Sequence, residues 1–338
     1  MVDRLHRVFK AEDRSYFAIL KKEIHGLAVR AGFSEGKVGE LDIVVAEIVS
    51  NLVKHAGGGQ LYVKLVEEDG LQGIELISVD NGPGMTDVTR MVSDGVSTKN
   101  TLGQGLGAMK RLSDVFQVYS LKEWGTVVLI RIFAEDLPSF GKPPPGEVRS
   151  LVIPKPGESE CGDGFFQLVT REHIKLFLGD GLGHGPEAAK AVMTAGAAFL
   201  ASMEVNPVNI IQEINDQVKK TRGLVGTVAI FDLLQKQWKV CGVGNISARI
   251  IGPGAVKNLM PYNGIIGLNV PRTLNAQDIA HERGQQLILC SDGLKTKWDT
   301  VRYPAVQRYD SSIVAASILK DFARNTDDMS VAVCKINL

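Results

Sequence analysis

The sequence predicts an α+β protein built from two domains. Three observations lead there. The length, 338 residues, exceeds that of one typical domain. The stretch Pro138 to Gly146 (PSFGKPPPG) holds four prolines and two glycines in nine residues. Separate series of strand and helix signals lie on either side of it. Such a stretch favours a stiff, extended connection over packed structure. The domains are therefore expected at 1–137 and 147–338, with 138–146 as the linker.

In the first half, apolar positions at Leu41, Val44, Val45, Ile48 and Leu52 have helical spacing, which predicts a helix over Leu41 to Ala56 that stops at Gly57-Gly58-Gly59. Gln60 to Val66 and Gly73 to Val79 read as strands, the second ending in the turn Asp80-Asn81-Gly82-Pro83-Gly84. A glycine-rich loop, Gly103 to Gly107, precedes a short helix near Ala108 to Ser113, and Thr126 to Phe133 is a last strand. In the second half, Glu147 to Ile153, Phe165 to Thr170, Ile174 to Leu178, Val225 to Leu233, Trp238 to Gly242, Ala248 to Ile251, Gln286 to Leu289 and Met329 to Ile336 read as strands. Pro186 to Met203 and Asn206 to Lys220 read as helices between them. Many strands with two helices suggest a layered sheet sandwich with helices outside.

Hydrophobic residues at 44% and charged residues at 22% predict order nearly throughout. Lys plus Arg (38) balances Asp plus Glu (38), so no net field favours nucleic acid or an anionic membrane, and proteins or small molecules are the expected partners. No apolar run approaches the roughly 18 residues that span a bilayer. Charges interrupt the first ten residues, so neither export nor membrane insertion is expected and the protein is placed in the cytoplasm. Cys161, Cys241, Cys290 and Cys334 lack paired spacing, which predicts buried, reduced thiols.

Glu47 and Asn51, four residues apart, project from one face of the predicted helix, and His55 continues the stripe. By itself this reads first as a polar stripe on a solvated face. If the face lines a pocket, Glu47 can accept a proton from an attacking hydroxyl or water while the Asn51 carbonyl oxygen ligates Mg²⁺. In SVDNGPGM, Asp80 follows a strand and precedes two closely spaced glycines, so the backbone can pass under a flat ring while the carboxylate accepts a hydrogen bond, as from an adenine amino group. In TLGQGLGAMKRL, Gly103, Gly105 and Gly107 allow a mobile lid whose N–H groups face phosphates. Either glycine motif alone reads as a turn.

Taken in order, the E-x-x-x-N helix, D-x-G-x-G turn, G-x-G-x-G lid and final Gly125-Thr126 resemble the GHKL (Bergerat-fold) ATPases. DNGPGM, the DGVST stretch (Asp94 to Thr98) and LGQGLGAMKRLSD look like the RsbT-type switch serine kinases of bacterial stressosomes. Over residues 5–133 that resemblance implies a Bergerat α/β sandwich that binds ATP. It makes Glu47 the catalytic base, Asn51 the Mg²⁺ ligand, and Asp80 and Thr126 the adenine contacts. Gly82, Gly84, Gly103, Gly105 and Gly107 would shape the pocket and its lid.

Four acidic motifs mark the second half: CGDGFF with Asp163, GDGLGHG with Asp180, SDG with Asp292, and TDDMS with Asp327 and Asp328, each at or near a strand end. Any one Asp-Gly reads as a turn. Four gathered at one edge of a sandwich would repel unless cations neutralise them, and hard oxygen ligands suit Mg²⁺ or Mn²⁺. A two-metal centre would activate water and clamp phosphoryl oxygens, giving phosphoester hydrolysis without a phosphoenzyme. ECGDGFF, DGLGHGPEA, KTRGLVGT (Lys220 to Thr227), VGN (Val243 to Asn245) and SDGL resemble the PPM-type phosphatases, in particular the SpoIIE-like group and its RsbX-type members. The resemblance spans 147–338 and implies an αββα sandwich. Asp180 would bridge the metals as the catalytic acidic residue, the Gly181 carbonyl would ligate one, and Asp163, Asp292 and Asp327 would complete the set, with Asp328 behind them. No phosphate-binding arginine is evident near the start of this half. His184 reads as shaping its loop.

The expectation is a bifunctional switch that phosphorylates and dephosphorylates Ser or Thr on STAS-type regulators. The substrate class comes from the resemblance. The alternative is a phosphatase regulated by an ATP-sensing or docking domain without transfer activity. A pure scaffold would have no physical need for such charge clustering.

Overall fold

The computed structural model describes residues 4–11, 15–92, 105–136 and 144–337. The chain forms two compact units, Met1–Lys142 with Arg308–Ser317, and Pro143–Gln307 with Ile318–Leu338. Most of the predicted linker, residues 138–143, lies outside the described residues, as does the DGVST stretch.

The first unit holds β1 (Arg7–Lys10), α1 (Ser15–Arg30), α2 (Glu35–Asn51), β2 (Gln60–Glu68), β3 (Leu71–Val79), α3 (Val88–Val92), α4 (Gly105–Arg111), β4 (Val115–Leu121) and β5 (Gly125–Phe133). Its antiparallel sheet runs β1-β2-β3-β5-β4. Alternate residues of the inner strands, Leu61, Val63, Ile74, Leu76, Ile130 and Ile132, share a core with Leu27, Val44, Val45 and Ile48 of the two long helices. Burying each such branched side chain contributes about 1.5–3 kcal/mol. Ser34 caps α2 by accepting from the Lys37 N–H at 3.3 Å, and the helix runs on through a wider π turn, Leu52–Ala56, to Gly57 at φ 72°. The expected stop at the glycines is thus where the chain turns.

On the other face of this sheet Glu75 and Arg131 are register partners on β3 and β5. Arg131, 1% exposed, donates from Nε to Glu75 at 2.8 Å, from Nη1 and Nη2 to the two oxygens of Asp310 at 2.8 and 3.0 Å, and to Ser312 Oγ at 2.9 Å. His6 Nε2 meets the other Glu75 oxygen at 3.3 Å. Glu68 stands 3.8 Å from Nη1 as a third carboxylate. The bonds to Asp310 and Ser312 tie Arg308–Ser317 to the first unit, a segment that a division at the proline-rich stretch leaves with the second domain.

The second unit contains β6 (Gly146–Ile153), β7 (Asp163–Val169), β8 (His173–Gly181), α5 (Pro186–Ala201), α6 (Pro207–Val218), β9 (Leu224–Asp232), β10 (Gln237–Val243), β11 (Ser247–Ile251), β12 (Val256–Leu259), β13 (Gln277–Ala280), β14 (Gln286–Cys290) and β15 (Met329–Ile336). Helix α7 (Ser311–Phe322) begins in the first unit and ends in the second. Two antiparallel sheets, β13-β10-β9-β8-β7 and β12-β11-β14-β15-β6, face each other. Between them lie Ile174, Leu176 and Leu178 of β8, Phe231, Trp238, Leu287, Leu289 and Ala332. Phe177, Val228 and Ile230 point the other way and meet Val192 and Phe199 of α5 and Ile210 and Ile214 of α6. Strand β8 therefore packs on both faces, with Lys175 the one charged residue among its apolar ones before Asp180. The α+β class and the sheet sandwich with helices outside are as the sequence predicts. Among the described residues no helix is long and apolar enough to cross a membrane.

Strands β1, β4, β12 and β13 and helices α1, α3 and α7 were not among the expected elements. Helix α7 hides its period because Ser311, Ser312 and Ser317 are buried along with its aliphatic residues. Helix α4 starts at Gly105, three residues before the expected Ala108, so Gly105 and Gly107 are helical rather than part of the preceding loop.

Replacing Asp310 by Ala leaves the Arg131 charge half-paired in the core. Protection of the β3 and β5 amides in hydrogen exchange is expected to fall by roughly 3 kcal/mol, against about 1 kcal/mol for Ser312→Ala. Burial alone would raise the Glu75 pKa, but Arg131 and His6 outweigh it and hold the carboxyl well below its ordinary range. The stability it adds is complete above an unfolded value of about 4.3 and is lost as pH falls through the lower folded value.

Candidate functional site

In the first unit the buried stripe of α2, Val38, Leu41, Val44, Val45, Ile48 and Val49, faces the sheet, which leaves Glu47 and Asn51 on its half-exposed side. Both reach the start of α4. A Cβ placed on Gly105 would stand 2.7 Å from Glu47 Oε2 and 3.7 Å from Asn51 Oδ1. Only glycine lets the backbone approach the two side chains this closely.

Asp80, just past β3, is tied to the strand it pairs with. Its Oδ1 accepts from the Gly82 N–H at 2.8 Å and the Thr126 N–H at 3.2 Å, and its own N–H donates to the Thr126 carbonyl at 3.0 Å. The Thr126 hydroxyl lies 2.9 Å from Ser120 Oγ, which also accepts from the Met85 N–H. Gly84, at φ 68°, passes so close to Leu121 that a Cβ would fall 1.9 Å from its carbonyl oxygen. Gly82 packs on Ala56, where the π turn of α2 ends. Asp80 and Thr126 are thus brought together at the foot of the helix that presents Glu47 and Asn51 higher up. Gly103 lies outside the described residues.

In the second unit the β7–β8 register sets Asp163 directly opposite Asp180, and the Gly181 N–H donates to the Gly162 carbonyl at 2.9 Å. Asp292 follows the end of β14, and Asp327 and Asp328 precede β15, its neighbour in the other sheet. The acidic residues therefore arrive from both sheets at one end of the sandwich. Burial is the largest cause of the raised pKa of Asp180, and the charges of Asp163, Asp292, Asp327 and Asp328 all add to it. Burial likewise pushes Asp163 up; the nearby Ser291 and Ser330 hydroxyls lower it, and the charges of Asp328 and Asp292 raise it further.

The members of this group have different tasks. Asp163 is 3% exposed and neither of its carboxylate oxygens has a hydrogen-bond partner. Asp328 is occupied: its oxygens accept from the Lys155 and Gly162 N–H groups, each at 2.8 Å, and its N–H donates to Asp327 Oδ1 at 2.9 Å. It braces the segment before β7 against the start of β15. Asp292 Oδ2 accepts from Asn245 Nδ2 at 2.9 Å. His184 pairs with Glu158 across the loop that follows Asp180, in keeping with a loop-shaping part. The four cysteines are free and buried. Burial, helped by Asp163 and Asp328, pushes the Cys161 thiol far up, and burial does the same for Cys290, so neither supplies a thiolate nucleophile.

Orphaned, buried carboxylate oxygens surrounded by like charge fit a divalent cation. Among the described residues no three carboxylate, imidazole or thiol side chains stand close enough to enclose an ion by themselves. One residue of this group carried no role in the sequence reading, Asn245 of the VGN stretch, since an asparagine does not stand out until the fold brings it against Asp292.

A helix-and-sheet unit of this kind beside an all-antiparallel sandwich with clustered acidic residues defines an ATPase-type domain joined to a metal-dependent phosphatase fold. The chain carries a histidine kinase-like ATPase domain over residues 9–132 and a Stage II sporulation protein E (SpoIIE) domain, of PPM type, over residues 170–337. It is 33% identical over 102 residues to the serine/threonine-protein kinase RsbT of Bacillus subtilis (strain 168), covering 30% of this chain and 77% of that protein. It is 29% identical over 152 residues to the phosphoserine phosphatase RsbX of the same organism, covering 44% of this chain and 75% of that one. A structure solved in work on "The bacterial stressosome: a modular system that has been adapted to control secondary messenger signaling" matches 56% of this chain and 99% of its own, at 30% identity and a TM-score of 0.53.

Ionising Asp163 in the fold is unfavourable, since its folded pKa is raised above an unfolded value of about 3.9. In EDTA at neutral pH, Asp163→Asn is therefore expected to stabilise the chain by about 1–3 kcal/mol. Mg²⁺ is expected to raise the Tm of the unmodified protein, and the same substitution to abolish that rise. Thermal melts with and without the metal read both effects.

Proposed function

We propose that this chain is a cytoplasmic, bifunctional switch. Its first unit transfers the γ-phosphoryl group of ATP to Ser or Thr on a STAS-type regulator, and its second unit hydrolyses the resulting phosphoester. The observation that carries the hydrolase half is the pair of unpartnered Asp163 oxygens facing Asp180 at the end of both sheets. The kinase half is supported by Glu47 and Asn51 meeting at Gly105 while Asp80 and Thr126 lie at the foot of the same helix. The likeness to RsbT and RsbX supports the pairing of opposed activities and a partner-switching setting.

In this reading Glu47 accepts the proton of the attacking hydroxyl, and Asn51 holds the Mg²⁺ that accompanies the nucleotide. Asp80 accepts a hydrogen bond from the adenine amino group, with Thr126 beside the ring. In the second unit Asp163, Asp180, Asp292, Asp327 and the Gly181 carbonyl would hold Mg²⁺ or Mn²⁺. Bound divalent ions supply a water of lowered pKa and neutralise phosphoryl charge. Asn245 orients Asp292, and Asp328 fixes the segment on which Asp163 stands.

Intact mass of a STAS protein, incubated with the chain and Mg²⁺-ATP, tests the proposal. Phosphate incorporation should be lost in Glu47→Ala and should accumulate in Asp180→Ala, with hydrolysis slowed at least about 100-fold. Incorporation unchanged in both variants would instead make the first unit an ATP sensor or docking module that regulates the phosphatase.

A further inference from the structure

We propose that Arg222 grips the phosphate of the phosphoserine or phosphothreonine substrate at the acidic centre of the second unit. This inference rests on the phosphatase reading above and supplies a residue that reading leaves missing. A phosphate dianion entering a ring of carboxylates needs positive charge aimed at its outer oxygens, and a guanidinium presents that charge as a two-pronged donor.

The backbone of Arg222 is held by the sheet that presents Asp180. Leu224, two residues on, pairs with Gly181 in the β8–β9 ladder, and the Gly223 carbonyl accepts from the Leu182 N–H at 3.2 Å. Thr221 fixes the approach, its hydroxyl donating to the Val218 carbonyl at 2.7 Å and accepting from the Gly223 N–H at 3.1 Å. From there the side chain crosses the loop that follows Asp180. A Cβ on Gly183 would lie 3.2 Å from Arg222 Nη1 and would touch nothing else within 4 Å.

The guanidinium has no other task. Arg222 is exposed and makes no hydrogen bond or ion pair among the described residues. Two other arginines near this end of the sandwich are committed. Arg249 stacks over Trp298 and donates to the carbonyls of Trp298 and Thr296, and Arg324 Nε donates to the Leu294 carbonyl. Of these three arginines Arg222 is the one that reaches the Asp180 loop with its donors unspent.

The test uses the full chain loaded with Mg²⁺, with a phosphoserine peptide as substrate and inorganic phosphate as the binding probe. Arg222→Ala should raise KM for the peptide, and weaken calorimetric binding of phosphate, by about 10-fold or more. The loss should fall mainly in KM, and Mg²⁺ affinity should stay within about 2-fold of the unmodified chain. Arg222→Lys should recover only part of the loss, because it restores charge without the fork. Unaltered KM and phosphate affinity in Arg222→Ala, in a chain that is otherwise active, would overturn the inference and leave the phosphatase reading intact. A KM defect that tracks lost Mg²⁺ affinity would also overturn it, by making Arg222 a support of the loop. An unmodified chain that binds Mg²⁺ yet hydrolyses no phosphoserine peptide would sink both.

Discussion

Like charge forced together at the end of a sheet sandwich is the constraint around which the second unit is organised. Carboxylates directly opposite on neighbouring strands repel, yet the register of β7 and β8 sets Asp163 against Asp180. The tight turn between the two strands, closed by the Thr170 N–H donating to the His173 carbonyl at 2.8 Å, fixes that register. The fold thus maintains an arrangement that electrostatics opposes. Asp328 and Asn245 limit the damage, the first by accepting two backbone N–H groups and the second by donating to Asp292. At Asp163 the Ser291 and Ser330 hydroxyls offset only part of the effect of burial and like charge, and its pKa stays raised.

The first unit solves a different problem. Its candidate site residues come from one helix and two paired strands: α2 supplies Glu47 and Asn51, the end of β3 supplies Asp80, and its ladder partner β5 supplies Thr126. Backbone hydrogen bonds around Asp80 fix two of these, and the close approach of Gly105 fixes the position of α4 over the other two. On the far side of the same sheet, Arg131 and its two carboxylates hold Arg308–Ser317 in place. Both faces of one sheet are therefore committed, one to aliphatic packing and the other to a buried ion network.

Much of this was legible in the residue order. The long strands and the three helices with clear apolar stripes, α2, α5 and α6, announce themselves because each has a face with one solvent and one core side. Helix α7 does not, since serines replace the polar stripe and are buried with everything else. Helix α1 carries exposed Ile19 and Val29, which blur its stripe. Short edge strands such as β1 and β13 have four residues each, too few for alternation to register. At the sites, acidic residues beside glycines could be picked out because few folds tolerate so many of them. Asn245 and Arg222 could not, since their chemistry depends on neighbours 47 residues along the chain in one case and on a close approach across a β-ladder in the other. The early start of α4 was equally hidden, because glycines favour loops unless something nearby requires the missing side chain.

Cys161 stands two residues before Asp163, and its proton is held by burial and by the negative charge of Asp163 and Asp328. Alkylating reagents attack the thiolate, so this sulfur is silent while the segment stays closed. That silence makes it a natural reporter: the rate at which iodoacetamide labels Cys161 follows how often the segment carrying Asp163 opens. A cation that knits the two sheets together would slow that labelling without touching the cysteine at all.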